Sequence, residues 1–198
     1  MRLQDNIINS LQMRIALSED MQAYKELYLL MYLDLHRFCY SFTKSKEVAE
    51  EVVSDVFIKL WQIRSQLSAI NNLRVYLYRI TKNLSLNYLA QASRNPAIQS
   101  EHIDIESFID FRDPEDLYIS KETIQKIKLF IQELPPQCKV IFFLVREHGL
   151  TYKEVADILD ISVFTVRNQL AIATKKIAEA LPSKSKSVLR FNDRFSAS

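Results

Sequence analysis

In the stretch ISVFTVRNQLAIATKK, the residues Phe164, Arg167, Asn168, Ala171 and Lys175 fall at i, i+3, i+4, i+7 and i+11, with Ser162 just ahead of them. On a helix that spacing puts them on one face. The chemistry of such a face is recognition. Arg pairs with guanine and Asn with adenine through two hydrogen bonds each, Ser bonds to either, and a phenyl ring or an alanine methyl touches the methyl of thymine. Lys175 and Lys176 suit the flanking phosphates.

A second set of polar groups lies earlier, in LRVYLYRITKNLSLNYLA. Arg74, Tyr76, Tyr78, Arg79, Lys82, Asn83, Asn87 and Tyr88 interleave cations, rings and amides. That mixture fits a single DNA strand, whose bases stack on rings while cations follow the phosphates. The competing reading is a bundle helix with partly buried tyrosines.

The elements that position the first set can be read from local signals. Leu134-Pro135-Pro136 ends one helix and opens the next, which carries Val140, Ile141, Leu144 and Val145 as far as His148. Gly149, the only glycine in the chain, supplies a left-handed cap without a steric penalty. Thr151 and Glu154 then have the spacing of a capping box, and the helix they open buries Val155, Ala156 and Leu159. Asp160 stands where turns of this kind often carry glycine, but Asp tolerates left-handed geometry. Ser162 caps the second helix, whose inward residues are Val166, Leu170, Ala173 and Ile177. Two short helices joined by a tight polar break form a helix-turn-helix, and the second of them enters a major groove. Taken alone, the pattern favours a helix-turn-helix over its competitor, a helical hairpin with a solvated polar face.

The second set needs a bundle to hold it. Apolar residues repeat at helical spacing from Ser18 to Phe42, in one helix or two. A second stripe, Val48, Val52, Val56, Phe57, Leu60 and Trp61, is opposed by Glu47, Glu50, Glu51, Ser54 and Asp55. Asn71 caps a third helix with Leu73, Leu77, Ile80 and Leu84 inward. Residues 93–121 lose this periodicity, contain Pro96 and Pro114, and are acidic between two mildly basic parts. The expectation is an all-α chain of two small helical domains joined by an acidic linker, at 18–92 and 122–181, with a disordered tail at 182–198.

Composition removes other classes. One glycine cannot furnish a phosphate-cradling or dinucleotide loop. His36, His102, His148, Cys39 and Cys138 lack metal-ligand spacing, so neither a metal nor a cofactor is expected. No nucleophile, base and orienting group come together, so no catalytic residue and no small-molecule substrate are expected. The absence of a long apolar run points to a cytoplasmic protein.

The order of the pieces is more telling than any one of them. AEEVVSDVFIKLW at Ala49 to Trp61, LRVYLYRITKNLSLNYL at Leu73 to Leu89, the acidic linker, and LPPQCKVIFFLVREHGLTYKEVADILDISVFTVRNQL together resemble the extracytoplasmic-function (ECF) group of bacterial sigma-70 factors. The resemblance covers roughly Ser18 to Leu181, and the last segment is similar in style to the group's Bacteroides-like members.

The resemblance implies a transcription initiation factor that directs core RNA polymerase to a narrow set of promoters and helps to open them. Glu51 and Asp55 would dock on the polymerase clamp, with Ser54 at a position where the family often has Gln. Asn71, Asn72, Arg74, Arg79, Lys82, Asn83 and Asn87 would capture the opened minus 10 strand. Ser162, Phe164, Arg167, Asn168, Ala171 and Lys175 would read the minus 35 element. An anti-sigma protein, often membrane-anchored, is an implied partner beside polymerase and promoter DNA. The alternatives are a stand-alone helix-turn-helix regulator and a helical module that binds an anti-sigma protein without reading DNA.

Overall fold

Leucine is the commonest residue of the chain and glycine occurs once, which favours helix throughout. The structure, a computed structural model, describes residues 2–94, 131 and 133–180. Among the described residues every long element is a helix: α1 (Arg2–Ser18), α2 (Met21–Thr43), α3 (Lys46–Gln62), a 3-10 turn (Arg64–Ala69), α4 (Leu73–Arg94), α5 (Pro136–Arg146), α6 (Tyr152–Leu159) and α7 (Val163–Ala180). The all-α expectation is met. Most of the acidic linker, nearly all of the helix expected over 122–133 and the tail at 182–198 lie outside the described residues. Helices α1–α4 form one compact unit; α5 and α7 belong to another.

In the first unit, α2 is one continuous helix. Asp20 caps it, its carboxylate accepting from the backbone N–H groups of Gln22 and Ala23, and Lys44 ends it in left-handed geometry with φ 56°. Ser45 then caps α3 through the N–H of Val48. Leu27, Met31, Leu35 and Phe38 of α2 are fully buried with Val53, Val56 and Leu60 of α3 and Leu73 and Leu77 of α4. Each such side chain contributes roughly 1.5–3 kcal/mol through the apolar surface it removes from water. The ring of Phe57 meets Tyr28 edge-on at 4.8 Å, and Phe38 meets Tyr78 in the same way at 5.1 Å.

Helix α1 precedes the start expected at residue 18. Ile8, Leu11 and Ile15 are buried at helical spacing, and Gln12 is buried among them. Exposed Ile7, Met13 and Leu17 blur that stripe in the sequence.

The second unit starts from Leu134, Cys138 and Ala173, buried together, with Ile131 and Phe142 packed against them. This core joins α5 to α7. Pro136 opens α5, as the sequence indicates, but the helix ends at Arg146, two residues short of His148. Gly149 does take the left-handed conformation, with φ 59°, and the N–H of Leu150 returns to the carbonyl of Leu144 at 3.1 Å.

Candidate nucleic-acid interface

The turn between α6 and α7 is built from short-range chemistry. Thr151 and Glu154 form a complete capping box, each side chain bonding to the other residue's backbone N–H. Asp160 ends α6 at φ 59° and ψ 49°, donating its N–H to the carbonyl of Ala156; the left-handed turn is therefore made without glycine. The Oγ of Ser162 accepts from the N–H of Thr165 at 3.0 Å and lies 2.8 Å from that residue's hydroxyl. Val155 and Ala156 are buried as expected, but the third buried residue of α6 is Ile158, while Leu159 is half-buried.

Along α7 the buried side is Val166, Leu170 and Ala173; the side chain of Ile177 lies outside the described residues. The opposite face is open. Phe164, Arg167, Asn168, Ala171 and Lys175 are all exposed, Phe164 to 69%. Ser162 is exposed as well, but its hydroxyl is occupied by the cap, so its part in this surface is to start α7. Val163 and Ile172 are also open to solvent and widen the apolar component of the face. Ile172 follows the α7 periodicity and could have been read as outward from it, whereas Val163, three residues before Val166, falls toward the buried side by spacing and is open at the first residue of the helix.

On α4 the polar residues divide into two groups. Arg79, Asn83 and Asn87 are exposed at four-residue intervals, and Lys82 is half-exposed beside them; these make a ridge. Arg74 does not join it. It is buried, at 4%, and its guanidinium reaches Asp5 of α1 at 3.2 Å. Tyr78 is fully buried too and unable to stack on a base. Burial drives its hydroxyl well above the ordinary tyrosine range; the Asp34 carboxylate adds to that rise and Arg74 opposes it. Arg74 is thus a structural cation in a buried polar cluster, which corrects its expected place among the exposed strand-facing groups. The cap of α4 also shifts by one residue: the carboxamide oxygen of Asn72, rather than of Asn71, accepts from the N–H of Val75 at 3.0 Å. Asn71 stands exposed next to it.

The outer face of α3 presents Glu51 and Asp55, both exposed. Ser54 lies between them but bonds back to the carbonyl of Glu50 at 2.8 Å. Ile58, 53% exposed, continues the ridge by one turn; an apolar residue off the buried stripe is the signal that points to it. Phe57 is in the core, and Trp61 is half-buried under the guanidinium of Arg64, 5.0 Å from its ring centroid. Among the described residues no cluster of His, Cys, Asp or Glu could hold a metal ion. The thiols of Cys39 and Cys138 are both pushed up by burial, which keeps them as unreactive thiols. No helix among the described residues is long and apolar enough to cross a membrane.

Two exposed polar ridges and one acidic ridge thus stand out among the described residues. Family models agree with their order: Sigma-70 region 2 matches residues 27–95 and Sigma-70 region 4 matches residues 124–177. The ECF RNA polymerase sigma-E factor of Escherichia coli K12 is 32% identical over 134 residues, which cover 64% of this chain and 70% of that protein. The chain belongs to the ECF sigma factors. The sigma-E factor of Haemophilus influenzae is 29% identical over 140 residues, covering 67% of this sigma factor and 74% of the relative. Among solved structures, the Bartonella quintana sigma factor RpoE, in complex with the anti-sigma factor NepR, aligns with a TM-score of 0.58 over 81% of this chain and 97% of that one. At 20% identity that likeness speaks for the fold. As an ECF sigma factor the protein acts in transcription initiation and is not an enzyme.

Proposed function

We propose that this sigma factor divides its work among the three ridges, with α3 docking on core polymerase, α4 and the turn before it holding the opened minus 10 strand, and α7 reading the minus 35 element. The observation that carries this is the exposure of Glu51 and Asp55 on α3 together with the Arg79, Asn83 and Asn87 ridge on α4. Both lie in the unit that matches Sigma-70 region 2. Of the groups expected at the minus 10 strand, Asn71, Arg79, Lys82, Asn83 and Asn87 are retained; Arg74 and Asn72 serve the fold. At the minus 35 element the readers are Phe164, Arg167, Asn168 and Ala171, with Lys175 on the backbone. Affinity for DNA without polymerase is low, because the two reading surfaces cooperate only when both units are held on the enzyme.

The proposed domains are 18–92, extended by α1, and 122–181, joined by the acidic linker at 93–121. The style of the last segment supports a Bacteroides-like subtype. Resembling structures are a sigma factor bound to an anti-sigma factor and CnrH bound to the cytosolic domain of CnrY, which supports a similar inhibitory partner here, membrane-anchored in the manner common to the family. Work on polymerase supports a cytoplasmic location.

The test is affinity for core polymerase. Replacing Glu51→Lys and Asp55→Lys together reverses the charge of the α3 ridge and is expected to weaken binding at least tenfold at low salt, with a smaller effect at high salt. Parental affinity in the double variant would refute the docking assignment.

A further inference from the structure

Helix α1 lies ahead of the segment that matches Sigma-70 region 2, yet it makes a polar contact with the part of the molecule that faces the opened strand. Gln12 sits in the buried stripe of α1, 4% exposed, between Leu11 and Ile15. A leucine there would continue the stripe. An amide in that position is tolerated only when its polar atoms are bonded, and here its Nε2 donates to two backbone carbonyls, Leu67 at 2.6 Å and Ile70 at 2.7 Å. Leu67 lies in the second half of the 3-10 turn and Ile70 is the residue that caps it. The carbonyl of Leu67 also accepts from the N–H of Ile70 at 2.9 Å, so Gln12 ties the last turn of that element to α1.

The next residue is Asn71. It is exposed, the clamped Ile70 precedes it, and Asn72, fixed by its capping bond to Val75, follows it. One residue further on, α4 begins at the fully buried Leu73. A second tie runs from Asp5 to Arg74 in the first turn of α4. The backbone on both sides of Asn71 is therefore held, at one end by Gln12 and at the other by the start of α4. A short loop constrained in this way presents its free side chain in one geometry, and a group held in its bound geometry loses less freedom when it binds.

We propose that Gln12 is a positioning residue for capture of the opened DNA strand, since its buried carboxamide fixes the backbone from Leu67 to Ile70 and so sets the presentation of Asn71. Gln12 itself touches no DNA. The proposal rests on the reading of α4 and its preceding turn as the strand-capturing surface, and the experiment separates the two.

The full chain is assembled with core polymerase, and a single-stranded oligonucleotide enriched by the parental holoenzyme from a randomised pool serves as the probe. Gln12→Met keeps the length, apolar packing and helix preference of the side chain and removes both donors. Its oligonucleotide affinity is expected to fall about tenfold, because the turn that carries Asn71 must then be ordered when the strand binds. Its affinity for core polymerase and for duplex minus 35 DNA stays at the parental level, which a general loss of folding would not allow. Should Gln12→Met fail to fold by circular dichroism, Gln12→Asn, which retracts the amide by one methylene, takes its place with the same expectation. Parental oligonucleotide affinity in the folded variant overturns the positioning role and leaves the strand-capture reading standing. If the parental holoenzyme binds no oligonucleotide better than core polymerase alone does, the strand-capture reading fails and the proposal falls with it.

Discussion

Arg74 offers the sharpest separation between a residue that holds the fold and one that holds DNA. By type and position it belongs with Arg79 on the strand-facing helix, yet it is buried, paired with Asp5, and acts on Tyr78 against the nearby carboxylate of Asp34, itself only 8% exposed. Arg74→Ala takes the cation away and leaves that carboxylate beside a buried ring. Removing one member of a buried charge cluster costs ~3–5 kcal/mol. Because the Asp5 side chain is 44% exposed, water can replace part of its interaction, so the lower end, roughly 3 kcal/mol, is the expected loss. For a unit of this size each kcal/mol moves the melting temperature by about 4–8 °C, which gives a drop of about 12–24 °C. Thermal unfolding followed by circular dichroism measures it on the full chain. The exposed Arg79→Ala serves as the contrast, changing stability by no more than about 0.5 kcal/mol while weakening strand binding by the holoenzyme. An Arg74→Ala protein that melts like the parent but has lost strand affinity would refute the assignment and return Arg74 to the DNA surface.

Other consequences follow from the same geometry. Phe164→Ala should leave the melting temperature nearly unchanged, because the ring is largely exposed, and should reduce discrimination at one minus 35 position by roughly three- to tenfold; selection of duplex promoters by the holoenzyme reads this, and an unaltered preference counts against Phe164 as a reader. Tyr78 keeps its proton in the folded state at a pH where the unfolded chain releases it, so stability that is full below about pH 10 falls as the pH rises further. Tyr24 and Tyr32, also raised by burial, add to the same slope. Tyr78→Phe should therefore flatten the alkaline decline in denaturation midpoints, and an equally steep decline in that variant would contradict the role given to its burial.

Features set by neighbouring residues could be read from the sequence. The capping box of Thr151 and Glu154, the left-handed Gly149 and Asp160, and the Ser162 cap each follow from one or two side chains and the backbone beside them, and each appears in the structure. The exposed ridge of α7 was legible for the same reason, since period 3.6 fixes which residues oppose Val166, Leu170 and Ala173. What escaped depends on distant partners. Arg74 and Gln12 are polar residues that a pattern sends to the surface, and only α1 packing against the 3-10 turn and α4 reveals Asp5 and the two waiting carbonyls. Helix α1 itself was missed because its buried side has just three apolar residues around Gln12. In α6, eight residues long, the periodicity extends over two turns only, too few to choose between Ile158 and Leu159. Adjacent Asn71 and Asn72 present the same capping chemistry, and the backbone geometry selects the second.

The central claim is that this chain confers promoter recognition on core polymerase through three surfaces that make little use of DNA affinity of their own. Run-off transcription on a set of genomic promoter fragments, with core polymerase alone and with the chain added, tests it most directly. Transcripts of defined length from a small subset of fragments, present only when the chain is added, are expected, together with weak duplex binding by the chain alone. No chain-dependent transcript, accompanied by tight and salt-sensitive duplex binding without polymerase, would contradict it and mark the protein as a stand-alone DNA-binding regulator.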